Sequence, residues 1–181
     1  MIEIITENIF LKAAISHVFM DNLCEDNILL VDFDEKMTFS ELLLLLRGID
    51  QSNDIRVVFI GNPGIYKSFV VGFDWVDISL PISDFVCRLR KTKGVAIKSL
   101  IANIVHHLSL KKLSRVEKTV ALLSMSKKIT AVAAITGLSD KGAYNVLSTV
   151  VKKMNAHSSN HLRYFLMREY GAFSLAELTA I

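Results

Sequence analysis

Residues 137–155 read GLSDKGAYNVLSTVVKKMN, and the organisation of the chain follows from this stretch. Gly137 suits the left-handed position that ends a helix, and Ser139 is a side-chain cap for the helix that begins after it. Beyond the cap, Val146, Val150 and Met154, joined by Leu147 and Val151, recur at helical spacing and predict a face packed inward. Lys141, Tyr144, Asn145, Ser148 and Lys152 fall on the opposite arc, at i, i+3, i+4, i+7 and i+11. Asn155 stops the helix near Met154. Upstream, Ile129 to Ile135 fits a short helix. The stretch therefore predicts a short helix, a tight turn and a longer helix with one apolar and one polar face.

More helices surround this pair. Ser114-Arg115-Val116-Glu117 has capping-box spacing, with the serine oxygen set to take the Glu117 amide and the carboxylate to return to the Ser114 amide. Its helix runs on through Val120, Leu122 and Leu123. Ser158 or Ser159 caps a last helix through Leu162, Phe165 and Leu166 to Gly171. Ala96 to Leu108 is apolar at helical period, and Leu110 to Leu113 is a short basic link. After about Ile82 the sequence predicts helices only.

The front of the chain alternates. Ile2 to Ile5, Ile28 to Phe33, Ile55 to Ile60 and Trp75 to Leu80 read as strands, the last stopped by Pro81. Between them lie helical patterns at Phe10 to Leu23 and at Phe39 to Leu46, the latter capped by Thr38 or Ser40. Another follows at Ile82 to Arg90, with Ser83 as its cap. Gly61-Asn62-Pro63-Gly64 is a turn, and Phe69 to Phe73 fits either a strand or a helix. Near-continuous apolar strands alternating with helices imply a mostly parallel sheet buried on both faces. The fold class is thus an α/β N-terminal domain followed by an all-α helix-turn-helix domain, with the boundary near Lys91 to Gly94.

Charge divides the same way. Residues 1–91 hold 14 acidic and 8 basic side chains, a net of −6, whereas residues 92–181 hold 4 acidic and 13 basic, a net of +9. A basic half points to a polyanion partner, and helix-turn-helix geometry makes double-stranded DNA the partner to expect. Lys141, Tyr144, Asn145, Ser148 and Lys152 are types that reach phosphates or base edges. Lys127, Lys128 and Thr130, at the start of the short helix, lie where free amides and the positive dipole favour phosphate.

Other chemistry finds little support. The longest apolar run, Leu42 to Leu46, is far short of a membrane span, and Met1 to Glu7 has no basic n-region, so a cytoplasmic protein without membrane contact is expected. Cys24 and Cys87 lack metal spacing and read as buried free thiols. His106-His107 adjoin and point apart, and His157 and His161 share a face without a third ligand. Gly61 to Gly64 lacks the Gly-Lys-Ser/Thr ending of a phosphate loop. No catalytic residue, metal or cofactor is expected.

Residues Leu113 to Leu162 resemble the helix-turn-helix of the LuxR/NarL (GerE-type) regulators. Leu113-Ser114-Arg115-Val116-Glu117 stands where that family has Leu-Thr-x-Arg-Glu, and Leu122-Leu123 matches its next leucine pair. Leu138-Ser139-Asp140-Lys141 matches its Ile-Ser-Glu-Lys, and Val150, Lys153 and Met154 match the end of its recognition helix. Departures are Ser126 for the glycine before the short helix and Lys128 for its capping serine. Gly142-Ala143-Tyr144-Asn145-Val146 replaces Thr-Val-Lys-x-His, so Tyr144 replaces a base-reading lysine.

The front half resembles a shortened response-regulator receiver. Thr6-Glu7 follows the first strand where receivers keep an acidic pair. Asp32 lies at the phospho-acceptor position, and Leu80-Pro81 replaces Lys-Pro. The span from Glu7 to Asp32 is short by one strand-helix unit. With one acid and the lysine missing, Asp32 is expected to close a strand rather than take phosphate. The resemblance implies a bacterial transcription regulator, not an enzyme, with a receiver-like domain over 1–93, a linker helix over 94–112 and a DNA-binding domain over 113–181. It implies a homodimer, or a heterodimer with another response regulator, pairing through the last helix, as auxiliary family members work with a partner regulator. The alternative is a protein-interaction module that has lost DNA contact.

Overall fold

The computed structural model describes residues 2–20, 27–33, 37–49, 55–61, 64–69, 73 and 75–171. Cys24, Asn62, Pro63 and most of the Phe69 to Phe73 stretch lie outside them. In chain order the elements are β1 (Ile2–Ile5), α1 (Ile9–Met20), β2 (Asn27–Asp32), α2 (Phe39–Arg47), β3 (Ile55–Ile60), a 3-10 turn (Gly64–Ser68), β4 (Trp75–Val76), α3 (Ile82–Lys91), β5 (Val95–Ala96), α4 (Ile97–Leu108), α5 (Arg115–Leu123), α6 (Ile129–Thr136), α7 (Asp140–Lys153) and α8 (Ser159–Tyr170). This is an α/β region followed by a helical one, as the strand and helix patterns predict.

The residues form two compact units, neither of them one continuous segment. The first comprises 1–37, 41–64 and 70–103; the second comprises 38–40, 65–69 and 104–181.

In the first unit the strands lie in the order β1-β2-β3-β4, all parallel, with Asp32 beside Ile60 and Phe59 beside Trp75. Alternation sends Leu30, Val58, Ile60 and Val76 to one face, where they form a core with Ile15 of α1 and with Phe85 and Leu89 of α3. Leu29, Val31 and Val57 point the other way. Phe33, Phe59 and Trp75 cluster near the strand ends, with the Phe59 and Trp75 rings stacked at 4.6 Å. Burying such rings supplies much of the apolar area a small sheet needs.

Three expectations need correction here. β4 is two residues long rather than six, because Asp77 turns the chain by accepting the Ser79 amide at 2.8 Å. The strands do not end before Ile82: β5 pairs antiparallel with Arg56 and Val57 of β3. Gly94 makes that return possible, with φ of +66° and a position where a Cβ would lie 3.1 Å from the Val57 carbonyl. Ser83 is not the cap of α3. Pro81 precedes the helix and its carbonyl takes the Asp84 and Phe85 amides, a position where a missing N–H costs nothing.

In the second unit α7 packs against α5, α6 and α8. Val120, Val132, Ala143, Leu147, Val150, Met154, Leu162, Phe165 and Leu166 are all buried. Phe165 is also ringed by Phe39, Tyr66 and Phe69, the last stacked on it at 4.1 Å.

Candidate nucleic-acid interface

The local chemistry that shapes the α6–α7 pair matches its sequence signals. Gly137 is left-handed at φ of +69°, and the Leu138 amide reaches back to the Ala133 carbonyl at 3.0 Å, closing α6. Two residues on, the Ser139 hydroxyl takes the Gly142 amide at 3.1 Å and opens α7. A Cβ on residue 142 would come within 3.1 Å of that same hydroxyl. The glycine that weakens the helix by propensity thus leaves room for the cap.

Within α7, Ala143, Leu147, Val150 and Met154 are buried, while Val146 and Val151 are half-buried at the margin. Ala143 was missed as a core position because an alanine adds little to an apolar pattern. Lys141, Tyr144, Asn145, Ser148 and Lys152 are all exposed, and none of their side chains makes a hydrogen bond or ion pair among the described residues. Tyr144 is 58% exposed. Lys127, Lys128 and Thr130 are exposed too. Lys128 precedes α6 with no side-chain cap bond, so the first amides of α6 are not taken by that side chain.

Lys153 is a different kind of cation. Its Nζ lies 2.8 Å from Glu117 Oε2, and that oxygen also accepts the Ser114 amide at 2.7 Å. The Lys153 hydrogen bond first, then the Ser114 amide, hold the Glu117 carboxyl below its ordinary value. The capping box of α5 is thereby tied to the last turn of α7.

The rest of the second unit is histidine-rich. His157 and His161 stack at 5.2 Å, as their shared face predicts. His106 is exposed, but His107 is buried, and its Nδ1 has no hydrogen-bond partner among the described residues. Burial, with help from Lys112 and His106, lowers its pKa from 6.5 to about 4. On α8, Leu162, Phe165, Leu166 and Tyr170 are core residues; Tyr164 and Met167 occupy its exposed side. Burial first, then the Glu169 charge, push the Tyr170 hydroxyl upward, and that hydroxyl donates to the Leu108 carbonyl.

At the end of β2 in the first unit, the Asp32 carboxylate accepts the Thr6 hydroxyl at 2.7 Å. The same hydroxyl oxygen takes the Asn8 amide at 3.0 Å, and Asn8 in turn caps α1 through the Phe10 and Leu11 amides. Glu7 is exposed. Among the described residues no three His, Cys, Asp or Glu side chains are grouped to hold a metal ion. Cys87, expected to be buried, is exposed on α3, where the apolar face is already filled by Phe85 and Leu89. No described helix is long and apolar enough to cross a membrane.

No protein-family model matches the chain, and no curated protein matches it. Among solved structures, a chain from a structure of two RcsB dimers bound to two parallel DNAs is similar over 92% of this chain and 97% of its own, at 18% identity and a TM-score of 0.55. The response regulator StyR aligns over 92% of this chain and 98% of its own, at 12% identity and a TM-score of 0.34. Full-length FixJ from B. japonicum aligns over 96% and 98%, at 13% identity and the same TM-score. The likeness to the RcsB chain places this protein in the same overall fold.

Proposed function

We propose that the chain is a bacterial transcription regulator of LuxR/NarL type that binds double-stranded DNA through α7, and that it is not an enzyme. The observation that carries this reading is the face of α7, where Lys141, Tyr144, Asn145, Ser148 and Lys152 stand exposed and unpaired behind a tight glycine turn. The chain of similar fold comes from RcsB dimers bound to DNA, which supports a DNA partner and assembly as a dimer; whether the second subunit is the same chain or another response regulator is part of the proposal. In the docked pose Tyr144, Asn145 and Ser148 meet base edges in the major groove, Lys141 and Lys152 lie along phosphates, and Lys127, Lys128 and Thr130 meet phosphate at the start of α6.

Regulation by phosphate on Asp32 is not part of this reading. Phosphoryl transfer to an aspartate needs clustered carboxylates for Mg²⁺ and a cation for the growing charge. Here Thr6 occupies one acidic position and bonds the acceptor itself, and Leu80 stands where the lysine would be.

The test is a salt-titrated binding series on cognate and random duplexes. Asn145→Ala removes a bidentate partner for adenine and should cost about 1–3 kcal/mol of discrimination with little change in non-specific binding. Lys152→Ala should weaken every sequence alike and lower the salt slope by about one unit. Absence of salt-dependent binding by the wild type, alone and with a partner regulator, would overturn the proposal. The second reading, a protein-interaction module, is favoured by two exposed apolar side chains in this pair of helices, Ile135 and Tyr144. It would then replace the first.

A further inference from the structure

The second unit contains two short pieces from the front of the sequence, Thr38–Ser40 and Ile65–Phe69, and polar side chains from three places in the helical region grip the longer one. Asn155, just past the end of α7, donates its side-chain amide to the Ser68 carbonyl at 2.8 Å. His161, in the first turn of α8, places Nε2 at 2.7 Å from the Ile65 carbonyl. Its other ring nitrogen, Nδ1, accepts the His157 amide at 3.1 Å, so the ring proton belongs on Nε2, which donates to Ile65. Glu169, in the last turn of α8, accepts the Tyr66 hydroxyl at 2.8 Å. Glu169 is 6% exposed, and its carboxylate also accepts the Phe39 amide, the Ser40 amide and the Ser40 hydroxyl.

The bond from Asn155 matters most. Asn155 is left-handed at φ of +59°, and it sets the direction in which the chain leaves α7 for α8. Few side chains other than glycine hold that conformation readily, asparagine among them, and here its amide is anchored on the 65–69 turn.

We propose that the Ile65–Phe69 turn is a regulatory handle on the α7–α8 junction: held by Asn155, His161 and Glu169 it fixes the pose of α7, and released it loosens that pose without touching any residue of the exposed α7 face. The proposal rests on the DNA-binding reading for its consequence, but not for its mechanics. A partner that draws residues 65–69 away from these three side chains acts on DNA affinity through this junction.

The test uses the full chain and two mild variants. Asn155→Gly removes the amide anchor and keeps the left-handed backbone available. Tyr66→Phe removes only the hydroxyl bonded to Glu169. Hydrogen exchange is followed residue by residue, and duplex affinity is measured across a salt series beside Lys152→Ala. Each variant should speed exchange at residues 154–162 roughly three- to tenfold, the loss of one hydrogen bond, with other segments unchanged. Duplex affinity should fall by a similar factor with an unaltered salt slope. Lys152→Ala should show the reverse, a lower slope and unaltered exchange. Unchanged exchange at 154–162, acceleration spread through the whole chain, or local loosening with no change in affinity would each overturn the handle. A wild type that binds no duplex would sink the DNA-binding reading instead, and the exchange pattern would still decide the mechanics.

Discussion

The end of the sheet at Asp32 and the face of α7 depart in opposite ways from the sequence patterns they resemble. At the sheet end an aspartate stands where the resembled pattern has its acceptor, but one of its oxygens accepts the Thr6 hydroxyl, and threonine and leucine stand where that pattern has an acid and a lysine. On α7 the resembled motif is replaced over residues 142–146, yet Tyr144 and Asn145 in that stretch stand exposed, with no side-chain hydrogen bond among the described residues. A retained residue therefore does not mean a retained site. What decides is whether the neighbouring groups leave its chemistry available.

The largest expected effect lies in the core beneath α7. Phe165 stacks on Phe69 and meets Phe39 and Tyr66 edge-on, so Phe165→Ala should cost about 3–5 kcal/mol in urea denaturation and abolish duplex binding. Binding that survives the substitution would break the contrast, since α7 would then present its face without this core.

Next comes acidity. His107 has its pKa lowered from 6.5 to about 4, so the unfolded chain binds the proton that the folded chain refuses. Its contribution is complete above pH 6.5 and drains away as pH falls towards 4. It amounts to at most about 3 kcal/mol. Denaturation series at several pH values should show this loss in the wild type and not in His107→Phe. A slope unchanged by the substitution would assign the acid sensitivity elsewhere.

The smallest expected effect is none. Acetyl phosphate, or another small phosphodonor, should leave oligomeric state and duplex affinity unaltered, because Asp32 already bonds Thr6 and Leu80 offers no cation. A stable aspartyl-phosphate that shifts either property would turn the sheet end back into a working site.

Features set by neighbouring residues were legible in the sequence. The Ser114 capping box, the left-handed Gly137 and the Ser139 cap depend on spacings of a few residues, and each is present. Ser158 rather than Ser159 caps α8, a choice the sequence left open. The parallel strands showed as apolar runs. β5 did not, since two residues have no period to read, and its cause, Gly94 lying against Val57, is a long-range contact. Tyr66 and Glu169 were not legible at all. A glutamate near the end of an amphipathic helix reads as a surface residue, and the donors of Phe39, Ser40 and Tyr66 make its burial tolerable.

Those same bonds set a timetable for folding. Helical units usually assemble quickly because their contacts are local in sequence. Here the Phe39 amide meets a carboxylate 130 residues further along the chain. Closing so long a loop carries an entropic cost that no nearby helix can meet early. Residues 38–40 and 65–69 are made before α8, so the contacts of Phe39, Tyr66 and Phe69 with Phe165 and of Phe39, Ser40 and Tyr66 with Glu169 are among the last that a chain growing from its N-terminus can complete.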